Sequence, residues 1–378
     1  MNINITLSEA LDRASARLRK KMLHSVELLQ KAEKIALSYD AEQGYYLAFS
    51  GGKDSQALYH MAQLAGVKFQ GHMNLTSVDP PEVIRFVKKN YPEVELIKPK
   101  KSIFQIAIER KILPTMRVRW CCEEYKEMAG AGKVTLIGIR KAESARRAKR
   151  NEVEISSRKF SGDLEALEAY RQEQRAKRAR RQSKEKGVNI TNADEEKTLG
   201  CIHGKESLLI SPIIHWTEQD VWEFLNEVVS VSHCSLYDEG WHRIGCIGCP
   251  MSSYKQKTLE NERYPHVKRG WLQAIKKIRD GGGIQKRIYL VEYPQGLDAT
   301  AKRRRTAQNE NDGIQQPKQE PLAGFSPCSS SDRLNDEQEN EIAENIYDWW
   351  ISGKSYKQWY AEKFQQMKLD FKEETNNG

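Results

Sequence analysis

The sequence predicts an α/β fold built on a doubly wound, mostly parallel sheet with helices on its faces. Two observations carry this expectation. Short apolar runs alternate with helical segments from Tyr45 to Val229, the pattern that builds parallel strands joined by crossover helices. A glycine turn, Ser50-Gly51-Gly52-Lys53-Asp54-Ser55, joins the first of those strands to its helix. A third observation is exclusive: no stretch approaches the ~18 uninterrupted apolar residues of a membrane span. The start, Met1 to Thr6, lacks the basic-then-apolar layout of a signal peptide. A cytoplasmic chain with no membrane partner is expected.

The elements follow in order. Residues 1–40 read as an N-terminal helix. Thr6 to Glu9 fits a capping box, and Leu11, Leu18, Met22 and Leu29 keep helical spacing from Glu9 to about Ser38. The main domain spans 41–300. Tyr45 to Phe49 reads as a strand, Asp54 to Ala65 as a helix, and Phe69 to Leu75 as a second strand. Pro81 to Asn90 is a helix with proline in its first turn. Glu95 to Ile97 makes a short third strand, Ile103 to Lys111 a helix, and Val134 to Gly138 a strand. Leu208 to Ile213 and Glu218 to Val229 add a last strand and helix.

Residues 140–206 read as a basic helical insertion. Arg140 to Lys186 holds 16 Lys/Arg against 8 Asp/Glu, nearly the whole formal charge of +9. Its second half, Leu164 to Lys186, consists of good helix formers with almost no apolar residue after Tyr170. A helix polar all round is solvated or partner-bound. Two readings stay open: a solvated excursion, or a surface for a nucleic-acid backbone. Lys302-Arg303-Arg304-Arg305 is a second basic cluster. Residues 306–340 are rich in Gln, Asn, Glu, Ser and Pro, the composition of a flexible linker. In 341–378, Ile342, Ile346, Trp349 and Trp350 repeat at helical spacing, and Tyr356, Trp359, Tyr360, Phe364 and Met367 resume after Gly353. This helical tail docks on the core, packs in a homo-oligomer, or binds a partner protein.

The glycine turn carries the clearest chemistry. Gly51 and Gly52 permit positive φ and close approach to a ligand. The following helix start aims unpaired N–H groups and a positive dipole end at whatever lies above the strand. Ser50 and Ser55 add hydroxyls and Lys53 a charge. The spacing excludes G-x-x-x-x-G-K-[ST]. Asp54 repels phosphate unless it holds a metal ion such as Mg²⁺. Arg140, just past a strand end, suits bidentate phosphate or sulfate contact; for it and Arg146 plain surface charge is the alternative. Asp79 reaches a ribose or a metal ion, or caps the helix that starts at Pro81.

Seven cysteines are too few for a disulfide scaffold. Cys246-Ile247-Gly248-Cys249 is a chelating turn, and Cys121-Cys122 supplies a second pair. Adjacent thiolates diverge, which suits separate irons of a [4Fe–4S] cluster better than one Zn²⁺ ion; zinc and unligated thiols remain the alternatives. Cys201-Ile202-His203 reads as a further ligand pair or, better, as a buried cysteine.

The turn after the first strand resembles the PP-loop of the ATP pyrophosphatases (adenine nucleotide alpha hydrolase-like), and within them most resembles the phosphoadenosine phosphosulfate (PAPS) reductase family. Three further segments match in order. Thr76-Ser77-Val78-Asp79-Pro80-Pro81-Glu82 resembles the loop near the nucleotide. Gly138-Ile139-Arg140 with Glu143-Ser144 and Arg146 resembles the segment that holds sulfate or phosphate. Ser211-Pro212-Ile213-Ile214-His215-Trp216 with Asp220-Val221-Trp222 resembles the closing strand and helix. The cysteine pairs are similar to the [4Fe–4S] pattern of adenosine phosphosulfate (APS) reductases.

The resemblance implies an enzyme that binds ATP or APS/PAPS through Ser50, Gly51, Gly52, Lys53, Asp54, Ser55, Asp79, Gly138, Arg140 and Arg146. Lys53, Asp54 and Arg140 would serve catalysis. The reductases' C-terminal Glu-Cys-Gly-Leu-His is absent, and Cys328 lies in the linker. That departure turns the expectation toward the sulfur-transfer relatives, such as the Dnd-type ATP pyrophosphatases. ATP-dependent adenylation, pyrophosphate release and sulfur transfer to an acceptor such as nucleic acid lead, with a sulfur-donor protein as partner. APS/PAPS reduction to sulfite and a non-catalytic nucleotide-binding regulator are the alternatives.

Overall fold

A computed structural model describes residues 3–127, 130, 132–157, 206–281, 336–354, 358–359 and 361–363. Cys201, His203, Lys302 to Arg305, Cys328 and the helix expected over Leu164 to Lys186 lie outside these residues, as does most of the expected linker. Among the described residues no helix is long and apolar enough to cross a membrane. The chain divides into two compact units.

The first unit, Met1–Lys100 with Cys121–Cys246, holds the sheet. Its strands are β1 (Tyr45–Ala48), β2 (Phe69–Asn74), β3 (Glu95–Ile97), β4 (Val134–Leu136), β5 (Val153–Ser157) and β6 (Glu206–Ile210), in the order β3-β2-β1-β4-β6-β5. All pairings are parallel except the antiparallel β5–β6 edge. Tyr45, Tyr46 and Leu47 are all buried, as befits a central parallel strand covered on both faces. The chain leaves β1 toward β2 on one side and returns to β4 on the other. The strand order therefore reverses at β1/β4, where open α/β sheets bind ligands beyond their carboxyl ends.

The N-terminal helix is interrupted. α1 (Leu7–Arg13) starts with the Thr6–Glu9 capping box, and α2 (Ala16–Tyr39) restarts at Ser15, whose hydroxyl accepts from Leu18 N. Leu18, Met22, Leu29, Ala32 and Ala36 form the buried stripe of α2. α3 (Lys53–Leu64) is buried along nearly its whole length, and α4 (Pro81–Asn90) begins with proline. α6 (Glu218–Glu223) starts at a Thr217–Asp220 capping box and runs into a π turn over Phe224–Val228. Asp220 is fully buried and receives Lys21 Nζ at 2.5 Å, which ties α6 to α2.

Two strand expectations shift. The strand expected over Leu208 to Ile213 ends at Ile210, because residues 211–216 turn back on themselves through Ile214 N to Ser211 O and Trp216 N to Ile213 O. β5 lies within the segment expected to be helical. Val153-Glu154-Ile155 alternates apolar and polar residues, but five residues inside a charged run give too short a period to stand out.

The second unit, Lys101–Trp120 with Ile247–Gly378, contains α5 (Ile103–Arg110), α7 (Tyr254–Arg263), α8 (Pro265–Asp280) and α9 (Asp336–Ser352). Phe104 meets Trp271 edge-on at 5.0 Å, and Trp271 lies 4.8 Å from Trp350. Ile346, Tyr347 and Trp350 of α9 are thus buried within this unit, whereas Trp349 is only half-buried and Tyr356, Tyr360, Phe364 and Met367 lie outside the described residues.

Candidate active site

The turn after β1 is shaped by what its glycines exclude. Gly51 has φ +72°, and a Cβ there would sit 2.7 Å from Val83 Cγ1 and 2.8 Å from Val87 Cγ2 of α4. Gly138, past β4, would place a Cβ 2.9 Å from Asp54 O. Only glycine allows the end of β1 to pack against α4 and the segment after β4 to close on the first turn of α3. Ser55 Oγ then donates to Gly52 O at 2.8 Å and accepts from Ser50 N at 3.2 Å, so the turn is closed by its own side chain.

Arg140 and Asp54 meet at this junction. Arg140 Nε donates to Asp54 Oδ1 at 2.7 Å, with the Arg140 side chain 4% exposed. Burial pushes the Asp54 carboxyl up, and the Arg140 guanidinium opposes that shift. Arg140 N donates to Glu143 Oε1 at 2.8 Å, which orients the backbone behind the guanidinium.

Lys53 is also buried. Its Nζ donates to His242 O at 3.0 Å and lies 3.3 Å from Glu218 Oε1. The rings of Tyr237 and Trp222 stand 5.4 and 6.0 Å from that ammonium. Lys53 N donates to the Tyr237 hydroxyl at 2.9 Å, and burial raises the pKa of this phenol. The hydroxyl is therefore a neutral acceptor that takes one N–H of the helix start. Tyr237, at the end of a single 3-10 turn, and His242, in the loop after it, escaped sequence reasoning because neither carries a periodicity or motif; Trp222 lay in a segment already singled out.

Asp79 does not cap α4. The cap residue is Pro80, and Asp79 Oδ2 accepts from Thr76 N at 2.6 Å, bracing a loop in which Ser77 adopts φ +67°. Arg146 is exposed and begins a short 3-10 turn.

Within the first unit, Cys122, Cys246 and Asp79 all act on Lys126. Lys126 Nζ lies 3.3 Å from Cys246 Sγ. The Cys246 thiolate pushes the Lys126 ammonium up, with Asp79 and Cys122 adding to the effect. Lys126 is thus a charge shared by two thiols and the loop after β2. Cys121 and Cys122 are half-buried on a helical turn, Trp120–Cys122. In the second unit, Gly248 takes φ +69° and donates its N–H to buried Glu260 at 2.6 Å. Burial lowers the pKa of Lys257 below, and the Cys249 thiolate opposes that. In the first unit the adjacent Cys121 and Cys122, with Cys246 beside the Lys126 cation, are the thiols that could ligate a metal. Cys234 is fully buried, and burial raises its thiol pKa, as for a packing residue.

The family model for the phosphoadenosine phosphosulfate reductase domain matches residues 44–252, more than half of the chain. The chain belongs to that family. The matched residues of this PAPS reductase-family domain include the turn after β1, the Asp79 loop, Arg140 and all four paired cysteines. The chain is 26% identical over 242 residues to an uncharacterized protein of Methanocaldococcus jannaschii, covering 61% of this chain and 47% of that protein. It is 30% identical over 105 residues to an adenosine 5'-phosphosulfate reductase of Bacillus pumilus, covering 28% of this chain and 38% of the reductase. A second such reductase, from Lysinibacillus sphaericus, is 23% identical over 183 residues, 48% of this chain and 62% of that protein. The chain thus spans less than two thirds of each of these relatives. Among solved structures, Candida glabrata FMN adenylyltransferase in complex with FMN and an ATP analog aligns over 68% of this chain and 79% of its own, at 13% identity and a TM-score of 0.35. That likeness is too weak to bear on function.

Proposed function

We propose that this chain binds an adenine nucleotide over Ser50 to Ser55 and catalyses adenylation with release of pyrophosphate, as the activating half of a sulfur transfer. The observation that carries this reading is the junction of β1 and β4. There Gly51 and Gly138 bring a helix start, the Lys53 ammonium and the Arg140–Asp54 pair together at the sheet's switch point. A triphosphate arriving with Mg²⁺ meets cations on both sides. Lys53 neutralises the departing pyrophosphate, and Arg140 grips the α-phosphate as charge builds there. Asp54 orients Arg140, and its carboxylate would be the group to hold Mg²⁺ brought in with the triphosphate. An acceptor oxygen attacks the α-phosphorus, the bond to the β-phosphate oxygen breaks, and pyrophosphate leaves. Asp79 positions the loop beside the ribose. Nucleic acid is the acceptor favoured by the +8 segment from Arg140 to Lys186.

Cys121, Cys122, Cys246 and Cys249 are the residues we assign to a [4Fe–4S] cluster, with Zn²⁺ as the simpler alternative. Such a cluster supplies redox-active iron that can carry sulfur or electrons. The chain's own contribution is the Lys126 charge beside Cys246 and Cys122.

A second reading is favoured by the names of the relatives: reduction of APS or PAPS to sulfite. It needs a thiolate nucleophile, Cys328 or Cys201. The test is pyrophosphate release from ATP and Mg²⁺ by anaerobically purified protein, with and without nucleic acid. Release is expected, with a fall of about 100-fold in Asp54→Asn and in Arg140→Lys, the size of a lost charge-stabilising contact. No release by the wild-type chain, with sulfite formed from APS, would replace adenylation by reduction.

A further inference from the structure

Away from the nucleotide turn, the first unit gathers a second set of donors. His24 on α2, Glu152 just before β5, and His215 in the turn after β6 place their ligand atoms within 4.8 Å of one another. His24 Nε2 lies 2.5 Å and His215 Nε2 3.1 Å from the same oxygen, Glu152 Oε1. The two imidazoles are tilted by 58° with centroids 6.1 Å apart, so they do not stack. Their side chains are 49% and 46% exposed, and that of Glu152 is 29% exposed.

The backbone beneath this trio is fixed. Ser25, next to His24, is fully buried, with its hydroxyl 2.7 Å from Pro212 O. Trp216, next to His215, is 1% exposed and donates its indole N–H to the same hydroxyl at 3.2 Å. Ser211 N donates to Glu152 O at 2.8 Å. Each donor residue therefore extends from a backbone anchored by a buried neighbour or a strand edge, while its tip remains at the surface. That is how a preorganised first coordination shell is built.

We infer that His24, Glu152 and His215 form a binding site for one divalent first-row transition cation, of the Zn²⁺ or Co²⁺ type. Two imidazole nitrogens and one carboxylate oxygen are a donor set of that class, and three protein ligands leave a position open to water. Donors around a tetrahedral Zn²⁺ stand ~3.3 Å apart, so the partly exposed Glu152 carboxylate needs only a small rotation to admit the ion. Hard Mg²⁺ and Ca²⁺ prefer all-oxygen shells and do not suit this set. The site is separate from the cysteines and from Asp54. A backbone hydrogen bond links it to the Arg140 segment: Lys141, the residue after Arg140, donates its N–H to Ile214 O, next to His215, at 2.8 Å. A bound cation ties α2 to the β5–β6 edge and to the segment carrying Arg140.

The test is Co²⁺ titration of the full chain, anaerobically, read by absorption. Wild type with its cysteines already occupied is expected to take up one equivalent with weak ligand-field bands and no sulfur-to-metal charge transfer. That equivalent should persist in Cys121→Ser/Cys122→Ser. It should be weakened by ~100-fold or more in His24→Ala/His215→Ala, since two of three ligands are gone. Should the double variant fail to fold, His215→Gln and the paramagnetically shifted imidazole protons of Co²⁺-loaded wild type give the same answer. Unchanged uptake in the histidine variants, or no ligand-field bands without charge transfer in wild type, would overturn the site and leave a His–Glu–His ion-pair cluster. Pyrophosphate release is not the readout, so failure here and failure of the adenylation reading are told apart.

Discussion

His60 shows what burial does to a single titratable group in this fold. It lies on α3 with 0% exposure, its ring nitrogens 2.8 Å from Gln63 Oε1 and 2.9 Å from the Tyr91 hydroxyl. Burial disfavours the imidazolium, and its pKa is pushed down to about 4. An unfolded His60 protonates near 6.5, so between those values the unfolded chain holds the extra proton. The contribution of a neutral His60 to stability is complete above pH 6.5 and is lost as pH falls toward 4. It amounts to about 3 kcal/mol by linkage. Urea denaturation from pH 7 to 4.5 should show that decline, and His60→Gln should flatten it. At the same scale, Lys53, Asp54 and Arg140 were legible as candidate residues because the motif names them, and the structure places them together at the end of β1. Their partners, Tyr237 and His242, were not: a phenol and a backbone carbonyl about 185 residues away leave no local pattern.

Elements behave here as their caps and stripes dictate, and depart from expectation where tertiary contacts intervene. The capping box at Thr6 and the proline at Pro81 were legible and start α1 and α4. The break at Ser15 was not, because the apolar spacing continues across it. The tail helix α9 is a case where periodicity revealed an aromatic face but not its counterpart. Trp350 is 8% exposed, donates its indole N–H to Pro114 O at 2.6 Å and lies against Trp271. Trp350→Ala removes a buried indole and should cost about 3–5 kcal/mol. Trp350→Phe keeps most of the contact area but strands the Pro114 carbonyl, at about 1–3 kcal/mol. Chemical denaturation followed by near-ultraviolet circular dichroism should rank the variants in that order.

At the scale of the whole molecule, the cysteines test how far a pattern spread over 129 positions, Cys121 to Cys249, acts as one set. Anaerobically purified protein is expected to contain iron with a broad visible absorption. Cys122→Ser and Cys246→Ser should each lose most of it, whereas Cys234→Ser, at a packing site, should retain it. Equal iron in all three variants would sink the cluster assignment. The sequence by itself determined the parallel sheet, the glycine turn after β1 and the family, because each is written in short runs of consecutive residues: alternating strands and helices, Ser50 to Ser55, Gly138 to Arg140. The tertiary structure alone decided which groups face each other. The β1/β4 switch point, Lys126 beside Cys246, and His24, Glu152 and His215 around one oxygen all join residues from distant parts of the chain. Such pairings depend on sheet order and helix packing, and neither leaves a local periodicity to read.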